Sequence, residues 1–168
     1  IGAGIIGIAV AHYLATRHGV GRIVLIEQGD PMALTSAQSG ENYRNWWPHP
    51  VMRSFTDHAI DLMEEIARAS DNRLHMNRRG YALVTRRENP EDLFADLERG
   101  YGDGAAARIR FHKGGGSGYV PATSADWQSA PDGVDVLIDR ALIRAHFPSY
   151  AHDIATVLHI RRAGDISG

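Results

Sequence analysis

Three glycines near the beginning of the 168-residue chain have the spacing of a phosphate-binding turn. Residues 1–7 read Ile-Gly-Ala-Gly-Ile-Ile-Gly, a G-x-G-x-x-G pattern that an apolar run follows. In such a pattern the first glycine makes a tight turn, the second admits a pyrophosphate and the third lets a helix pack closely. The N–H groups and the positive dipole end of that helix then hold the phosphates. The residues predicted to bind them are Gly2, Gly4, Ile5, Ile6 and Gly7.

The elements that must position this turn follow it in the chain. Apolar residues after Gly7 predict a helix that is buried on most of its surface and ends near Gly19. Residues 22–26 are a short apolar run of the kind that forms a buried parallel strand. This run ends at Glu27, twenty residues after Gly7, where an acid accepts hydrogen bonds from a ribose diol. The negative charge of Glu27 also disfavours a 2′-phosphate, so NADP is not expected.

A long polar segment separates Glu27 from the next apolar pattern. Residues 28–48 contain several hydroxyl side chains, Gly40, Arg44 and two tryptophans, whereas a simple nicotinamide domain would turn directly into another helix and strand. Loops of this length in a compact domain are usually functional. Small residues let the backbone approach a ligand, and Arg44 can hold a negative group. The tryptophans are expected to anchor the core or a domain interface.

On these residues the sequence resembles the amino-acid-oxidase-like FAD oxidoreductases, the group of sarcosine, dimethylglycine and glycine oxidases and dehydrogenases. Three stretches carry the resemblance: residues 2–7, Leu25-Ile26-Glu27, and Thr35-Ser36-x-x-Ser39-Gly40-x-x-x-Arg44. It implies that Arg44 lies near the isoalloxazine or the substrate carboxylate. No histidine or cysteine stands between Thr35 and Trp47, so dissociable FAD is expected. Beyond the glycine turn, the predicted cofactor-binding residues are Glu27, Gln28, Ser36, Ser39 and Gly40.

The resemblance also implies an activity. It predicts oxidation of the C–N bond of an amino acid or secondary amine by hydride transfer to flavin N5, with oxygen or another acceptor taking the electrons. Two alternatives remain open at this point: another flavoprotein class, such as an FAD hydroxylase or monooxygenase, and a truncated, non-catalytic remnant. Only Ile1 precedes the glycine turn and there is no initiator Met. We therefore expect an N-terminal fragment that is inactive by itself and binds FAD weakly.

The predicted fold class is α/β. It combines a Rossmann-like FAD/NAD(P)-binding fold, whose first strand is truncated, with the start of an α+β substrate domain. Residues 1–73 are predicted to belong to the FAD-binding domain and residues 74–168 to the first part of the substrate-binding domain. Further predictions are a core-packed helix over 50–69, a hairpin or strand pair of 74–76 with 81–85, a flexible loop over 100–118, a strand near 134–138 before a helix capped by Asp139, and a strand over 154–161 whose residues face two sides in alternation.

Composition limits the remaining function classes. The chain carries 18 Lys and Arg against 20 Asp and Glu, a net charge of −2, which gives no electrostatic support for nucleic-acid binding. The absence of cysteine excludes disulfides and thiolate chemistry, and the nine histidines lack the spacing of a metal site. The apolar stretch over 5–15 is too short to span a bilayer and there is no signal peptide, so a cytoplasmic protein without a membrane span is expected.

Overall fold

The computed structural model describes residues 1–114, 118–123 and 127–167, and the chain divides into two compact units, residues 1–40 and 41–168. The described residues combine helices with a mixed sheet, which confirms the α/β class. The predicted domain boundary at residue 73 stays a prediction, because compactness does not show which residues bind which ligand. The described helices are α1 (Ile5–His18), α2 (Pro50–Ala69), α3 (Glu91–Tyr101), α4 (Ala105–Arg108) and α5 (Arg140–His146), with a 3-10 turn at Gly102–Gly104. The described strands are β1 (Asn42–Arg44), β2 (Tyr81–Thr85), β3 (Ile109–His112), β4 (Val134–Leu137), β5 (Thr156–Ile160) and β6 (Ala163–Asp165).

The first unit contains α1 and the chain that returns along it. Helix α1 ends as predicted, because Gly19 adopts the left-handed conformation that terminates helices. The predicted burial of α1 is wrong, since none of its residues is buried and Ile6 is 78% exposed. The predicted strand over 22–26 is also wrong: these residues form no ladder with any described residue. A single donor, the Gly2 N–H, reaches the Ile26 carbonyl at 2.8 Å, and one such bond does not make a strand.

The sheet of the second unit has the strand order β2-β5-β4-β3. Strand β5 is antiparallel to both of its neighbours, and β3 is parallel to β4. All residues of β5 are buried, and the predicted alternation of its two faces is confirmed within this strand. Burial is complete because apolar clusters cover both faces of β5, one containing Leu158 and Ile160 and the other containing Val157.

The prediction that residues 74–76 pair with β2 is wrong. Residues 74–76 form no strand, and β2 pairs with β5 instead. The Asn72 side chain accounts for the difference, because it accepts a hydrogen bond from the Met76 N–H at 2.9 Å and donates one to the Met76 carbonyl at 3.1 Å. A side chain that satisfies the backbone in this way competes with a strand ladder. Residues 72–76 therefore form a turn.

The stretch 100–118, predicted as a flexible loop, is ordered over 100–112. It contains the end of α3, the 3-10 turn, α4 and strand β3. Gly100 is buried against the tryptophans, and a Cβ there would lie 2.4 Å from the Trp47 carbonyl oxygen. This glycine therefore marks a close packing contact, not a flexible link. Residues 115–117 lie outside the described residues.

Helix α2 spans the residues predicted for it, with Pro50 in its first turn. Its buried residues are Ile60, Glu64 and Ala67, whereas Val51 and Phe55 are exposed, so only part of the predicted apolar stripe packs in the second unit. Strand β1 pairs with β6 beside this helix. The predicted cap of α5 is confirmed: Asp139 Oδ1 accepts hydrogen bonds from the N–H groups of the first turn.

The described helices contain no stretch that combines the length and the hydropathy needed to cross a bilayer.

Candidate functional site

The glycine turn has the shape that its sequence predicts. Gly2 has a φ of 92°, which disfavours any residue with a Cβ. A Cβ at Gly7 would lie 1.9 Å from the Gly2 carbonyl oxygen, so the helix can begin this close to the turn only with glycine at position 7. Gly4 is different, because a Cβ there would meet only Ser36 Oγ, at 3.4 Å. The space over Gly4 is therefore open to a ligand.

The Glu27 carboxylate lies at this turn. Its Oε2 atom accepts a hydrogen bond from the Ala3 N–H at 2.8 Å, and its Oε1 atom accepts from the N–H groups of Gln28 at 2.8 Å and Gly29 at 3.3 Å. These donors stabilise the ionised form, so the pKa of Glu27 is lowered, the bond from Ala3 contributing most. The structure thus brings an ionised acid to the glycine turn from a position twenty residues after Gly7.

Ser36 completes the start of α1. The Gly4 N-cap has no side chain that can accept from the first turn, and the Ser36 hydroxyl accepts from the Ile5 N–H at 3.2 Å instead. The following N–H groups, those of Ile6 and Gly7, have no partner within the helix. Donors of this kind at a helix N-terminus attract anions, and the helix dipole adds to the attraction.

A groove of about 640 Å³ runs from the glycine turn along α1. Gly2, Gly4 and Ser36 lie at one end, and apolar side chains of α1 and of residues 23–25 form the rest. Of the other predicted cofactor-binding residues, Gln28 contributes its N–H to Glu27. Ser39 and Gly40 are exposed and are not among the described residues that line the groove.

Arg44, the predicted substrate or flavin contact, lies on β1 in the second unit. Its guanidinium lies between two aromatic rings, 4.3 Å from the centroid of Trp47 and 4.7 Å from that of Tyr81. Cation–π contacts on both sides fix the plane and position of the guanidinium without neutralising its charge. Its buried Nε atom has no hydrogen-bond partner among the described residues.

The residues around Arg44 line a cavity of about 310 Å³. Most of its wall is apolar or aromatic, with Ala59, Ile60 and Met63 from α2 and Tyr43 from β1. The Tyr43 hydroxyl donates a hydrogen bond to the Asn77 carbonyl, and burial raises the pKa of this phenol. Tyr43 therefore keeps its proton at neutral pH, and Arg44 is the charged group of the described wall.

Sequence reasoning missed Tyr81 and gave Trp47 a different role. Tyr81 begins β2 and stands 37 residues after Arg44, so no local spacing connects the two. The two residues lie on strands of different sheets of the same unit, so only the folded chain brings them together. Trp46 is buried in the apolar cluster, as predicted for a core residue, whereas Trp47 packs on Arg44.

The first unit fits an adenine dinucleotide at three points. Gly4 leaves open space where a diphosphate must approach, the start of α1 offers N–H donors, and Glu27 offers an acceptor for a ribose diol. The chain also matches the family model described as "FAD dependent oxidoreductase" (DAO) over residues 1–167. The chain therefore belongs to the DAO family of FAD-dependent oxidoreductases, and its cofactor is FAD. No curated protein matches it. The family and the cofactor are confirmed, while the roles of individual residues stay predictions.

Proposed function

We propose that this FAD-dependent oxidoreductase oxidises the C–N bond of an amino acid or a secondary amine that carries a carboxylate. The observation that carries the proposal is Arg44: a guanidinium held between Trp47 and Tyr81, with a buried Nε that lacks a partner among the described residues. A cation that is fixed but not neutralised suits a carboxylate ligand. The adjoining cavity of about 310 Å³ leaves room for a small, mainly apolar substrate body.

For FAD binding we propose a Rossmann-like arrangement in the first unit. Gly2 and Gly7 would shape the turn, Gly4 would admit the diphosphate, and the N–H groups of Ile5 and Ile6 would donate to it. Glu27 would accept from the ribose, and Gln28 would contribute through the N–H that now supports this acid. Ser36, Ser39 and Gly40 would contact the remainder of the cofactor, as the resemblance implies.

Bound FAD would supply the oxidising chemistry, as the acceptor of a hydride from the carbon next to the substrate nitrogen. The residues of this chain bind and orient the substrate. Arg44 would fix the carboxylate end, and the aromatic and apolar wall would exclude water from the substrate body. Because Tyr43 keeps its proton, the described wall offers no base to an ammonium ion. We therefore expect the substrate to bind with a neutral amine.

The test uses the full-length protein with FAD bound, under anaerobic conditions. N-methyl and primary amino acids are added one at a time, each beside the corresponding amine without the carboxylate, and loss of the flavin absorbance is recorded. We expect amino acids to reduce the flavin and their decarboxylated counterparts to reduce it poorly. Reduction by NAD(P)H with no response to any amine would overturn the proposal and favour a hydroxylase or monooxygenase.

A further inference from the structure

The second unit contains another cavity, of about 340 Å³, which is lined by residues that the proposed oxidation does not use. Four aromatic rings form most of its described wall, and neighbouring rings are close: Tyr119 and His146 have centroids 4.9 Å apart, and Phe147 and His159 have centroids 5.9 Å apart. Such walls accommodate a planar, aromatic ligand. Arg79 also lines the cavity, and none of the described lining residues is acidic.

The charged residues next to this wall carry excess positive charge, with Asp135 and Arg161 buried and the Arg110 side chain 37% exposed. Asp135 accepts hydrogen bonds from Arg110, the shorter from Nε at 2.7 Å, and forms an ion pair with Arg161, whose Nη1 lies 3.4 Å from the carboxylate. His112 Nε2 lies 2.8 Å from the same carboxylate. Burial by itself would raise the pKa of Asp135, but the bonds from Arg110 and His112 outweigh it and hold this pKa below its ordinary value. One carboxylate therefore faces two permanent cations.

The hydrogen bonds of His159 fix which of its ring nitrogens carries the proton. Arg161 Nη1, which can only donate, lies 3.0 Å from Nδ1, so Nδ1 accepts, and the Tyr119 hydroxyl lies 3.0 Å from the same nitrogen. Its Nε2 therefore carries the proton and donates to the Arg79 carbonyl at 2.9 Å. Both nitrogens are used inside the protein, and burial lowers the pKa of His159 to about 4. His159 is a neutral ring that connects the wall to Arg161.

We propose that this cavity is a binding site for a small aromatic carboxylate. The rings of Tyr119, His146 and Phe147 would contact the planar body, and the carboxylate would be drawn by Arg79 and by the positive charge that Asp135 leaves unbalanced. Arg161 contributes through the field alone, because its Nη1 is already occupied by the Val120 carbonyl at 2.9 Å and by His159. This site is separate in its residues from the Arg44 cavity, and it does not depend on the proposed function.

The experiment is calorimetric titration of the full-length protein with nicotinate and with nicotinamide, which have the same ring and differ in the charge of one substituent. We expect nicotinate to bind and nicotinamide to bind about threefold to fivefold more weakly, the upper range of a partly exposed charge interaction. Ala122 lines the cavity, so Ala122→Leu should fill it and abolish binding. Arg79→Ala should weaken nicotinate binding by about threefold to fivefold. Arg73→Ala, an exposed arginine outside the described lining, is the control and should change nothing.

A further variant separates this site from the Arg44 cavity. Arg44→Met should leave nicotinate binding unchanged, and its loss in this variant would place nicotinate in the other cavity and overturn the proposal. Equal affinity for nicotinate and nicotinamide, or undiminished binding in Ala122→Leu, would also overturn it. Circular dichroism of each variant shows that the fold is retained. An Arg79→Ala protein that keeps its fold and still responds like Arg73→Ala contradicts the role given to Arg79.

Discussion

The Glu27 carboxylate closes the glycine turn, because its Oε2 atom accepts a hydrogen bond from the Ala3 N–H at 2.8 Å. Glu27 follows the segment 22–26 that comes after α1, and its carboxylate reaches the turn on which the proposed FAD site depends. The same contact lowers the pKa of Glu27, so the acceptor is ionised at neutral pH. An ionised acceptor is the form that binds a ribose diol most strongly.

The first prediction concerns this acid. Glu27→Gln should lower the affinity for FAD by about tenfold or more, since a hydrogen bond to a charged group contributes about 1.5–3 kcal/mol. The measurement is quenching of flavin fluorescence on titration. Glu98→Gln, an exposed acid on α3, is the matched control and should bind FAD like the parent protein. Equal FAD affinity in the two variants would remove Glu27 from the proposed site.

The second prediction separates FAD binding from stability by means of two glycines. Gly4→Ala should weaken FAD binding while leaving the free energy of unfolding within about 0.5 kcal/mol of the parent, because the new methyl group meets only Ser36 Oγ, at 3.4 Å. Gly7→Ala should destabilise the fold by about 1–3 kcal/mol, because its methyl group would lie 1.9 Å from a backbone oxygen. Chemical denaturation and FAD titration of both variants test this. If Gly4→Ala binds FAD normally, the diphosphate does not approach that residue.

The third prediction tests Arg44 by comparing two substrates. Arg44→Met should raise KM for a carboxylate-bearing substrate by about tenfold or more, the effect expected for a lost charged pair in a cavity. The same variant should handle the decarboxylated amine as the parent does, because no carboxylate is present to lose its partner. Steady-state kinetics on both compounds provides the measurement. An equal rise in KM for both would mean that Arg44 supports the cavity and does not bind a carboxylate.

The fourth prediction is a pH dependence of stability. Burial lowers the pKa of His159 from 6.5 to about 4 in the folded chain. Between these values the unfolded chain binds the additional proton, so the free energy of unfolding falls as the pH is lowered from 6.5 towards 4. The full loss is about 3 kcal/mol. His159→Gln should flatten this dependence in denaturation experiments at pH values across that window. A variant with the parent's slope would contradict the buried, neutral state of His159.

The fifth prediction concerns Arg162, which ties α2 to the segment before β6. Its Nη1 lies 2.6 Å from Asp57 Oδ1, and its Nη2 lies 2.5 Å from Asp61 Oδ1 and 3.2 Å from Glu64 Oε2. Arg162→Met should cost about 1–3 kcal/mol, because Asp57 and Glu64 lose a shared partner although each keeps another arginine. Asp61→Asn should cost less than about 1 kcal/mol, since the Asp61 side chain is 54% exposed. Thermal or chemical denaturation compares the two, and similar losses would mean that the cluster is a surface feature.

Local chemistry made the helices predictable. Pro50 and the apolar repeat after it gave both ends of α2, and Asp139 marked the start of α5 through its side-chain cap. Gly19 marked the end of α1 for the same kind of reason. These signals depend on neighbours within a turn or two, so they can be read without knowledge of the fold.

Strand pairing could not be predicted, because it joins distant segments. The partner of β2 is β5, with Leu83 opposite Leu158, and no pattern near residue 83 refers to residue 158. The turn made by Asn72 also removed the local partner that the sequence suggested. Burial of β5 on both faces followed from its central place in the sheet, which the alternation of its residues did not reveal.

The candidate site also has parts that local sequence signals predict and parts that depend on contacts between distant segments. The glycine turn and Glu27 were predictable, because a fixed spacing of twenty residues connects them. The contact of Arg44 with Trp47 lies within one short segment, but its contact with Tyr81 depends on how the sheets of the second unit come together. The charged cluster of Asp135, Arg110 and Arg161 likewise comes from three separate strands or strand ends.

The order of the strands has a consequence for synthesis of the protein on the ribosome. β5 is made after both of its neighbours, so β2 and β4 leave the ribosome with a gap between them that residues 156–160 must fill. Until then both strands present open hydrogen-bonding edges, which are the surfaces through which nascent chains associate wrongly. A polypeptide that ends before residue 156 would therefore keep the facing edges of β2 and β4 unpaired.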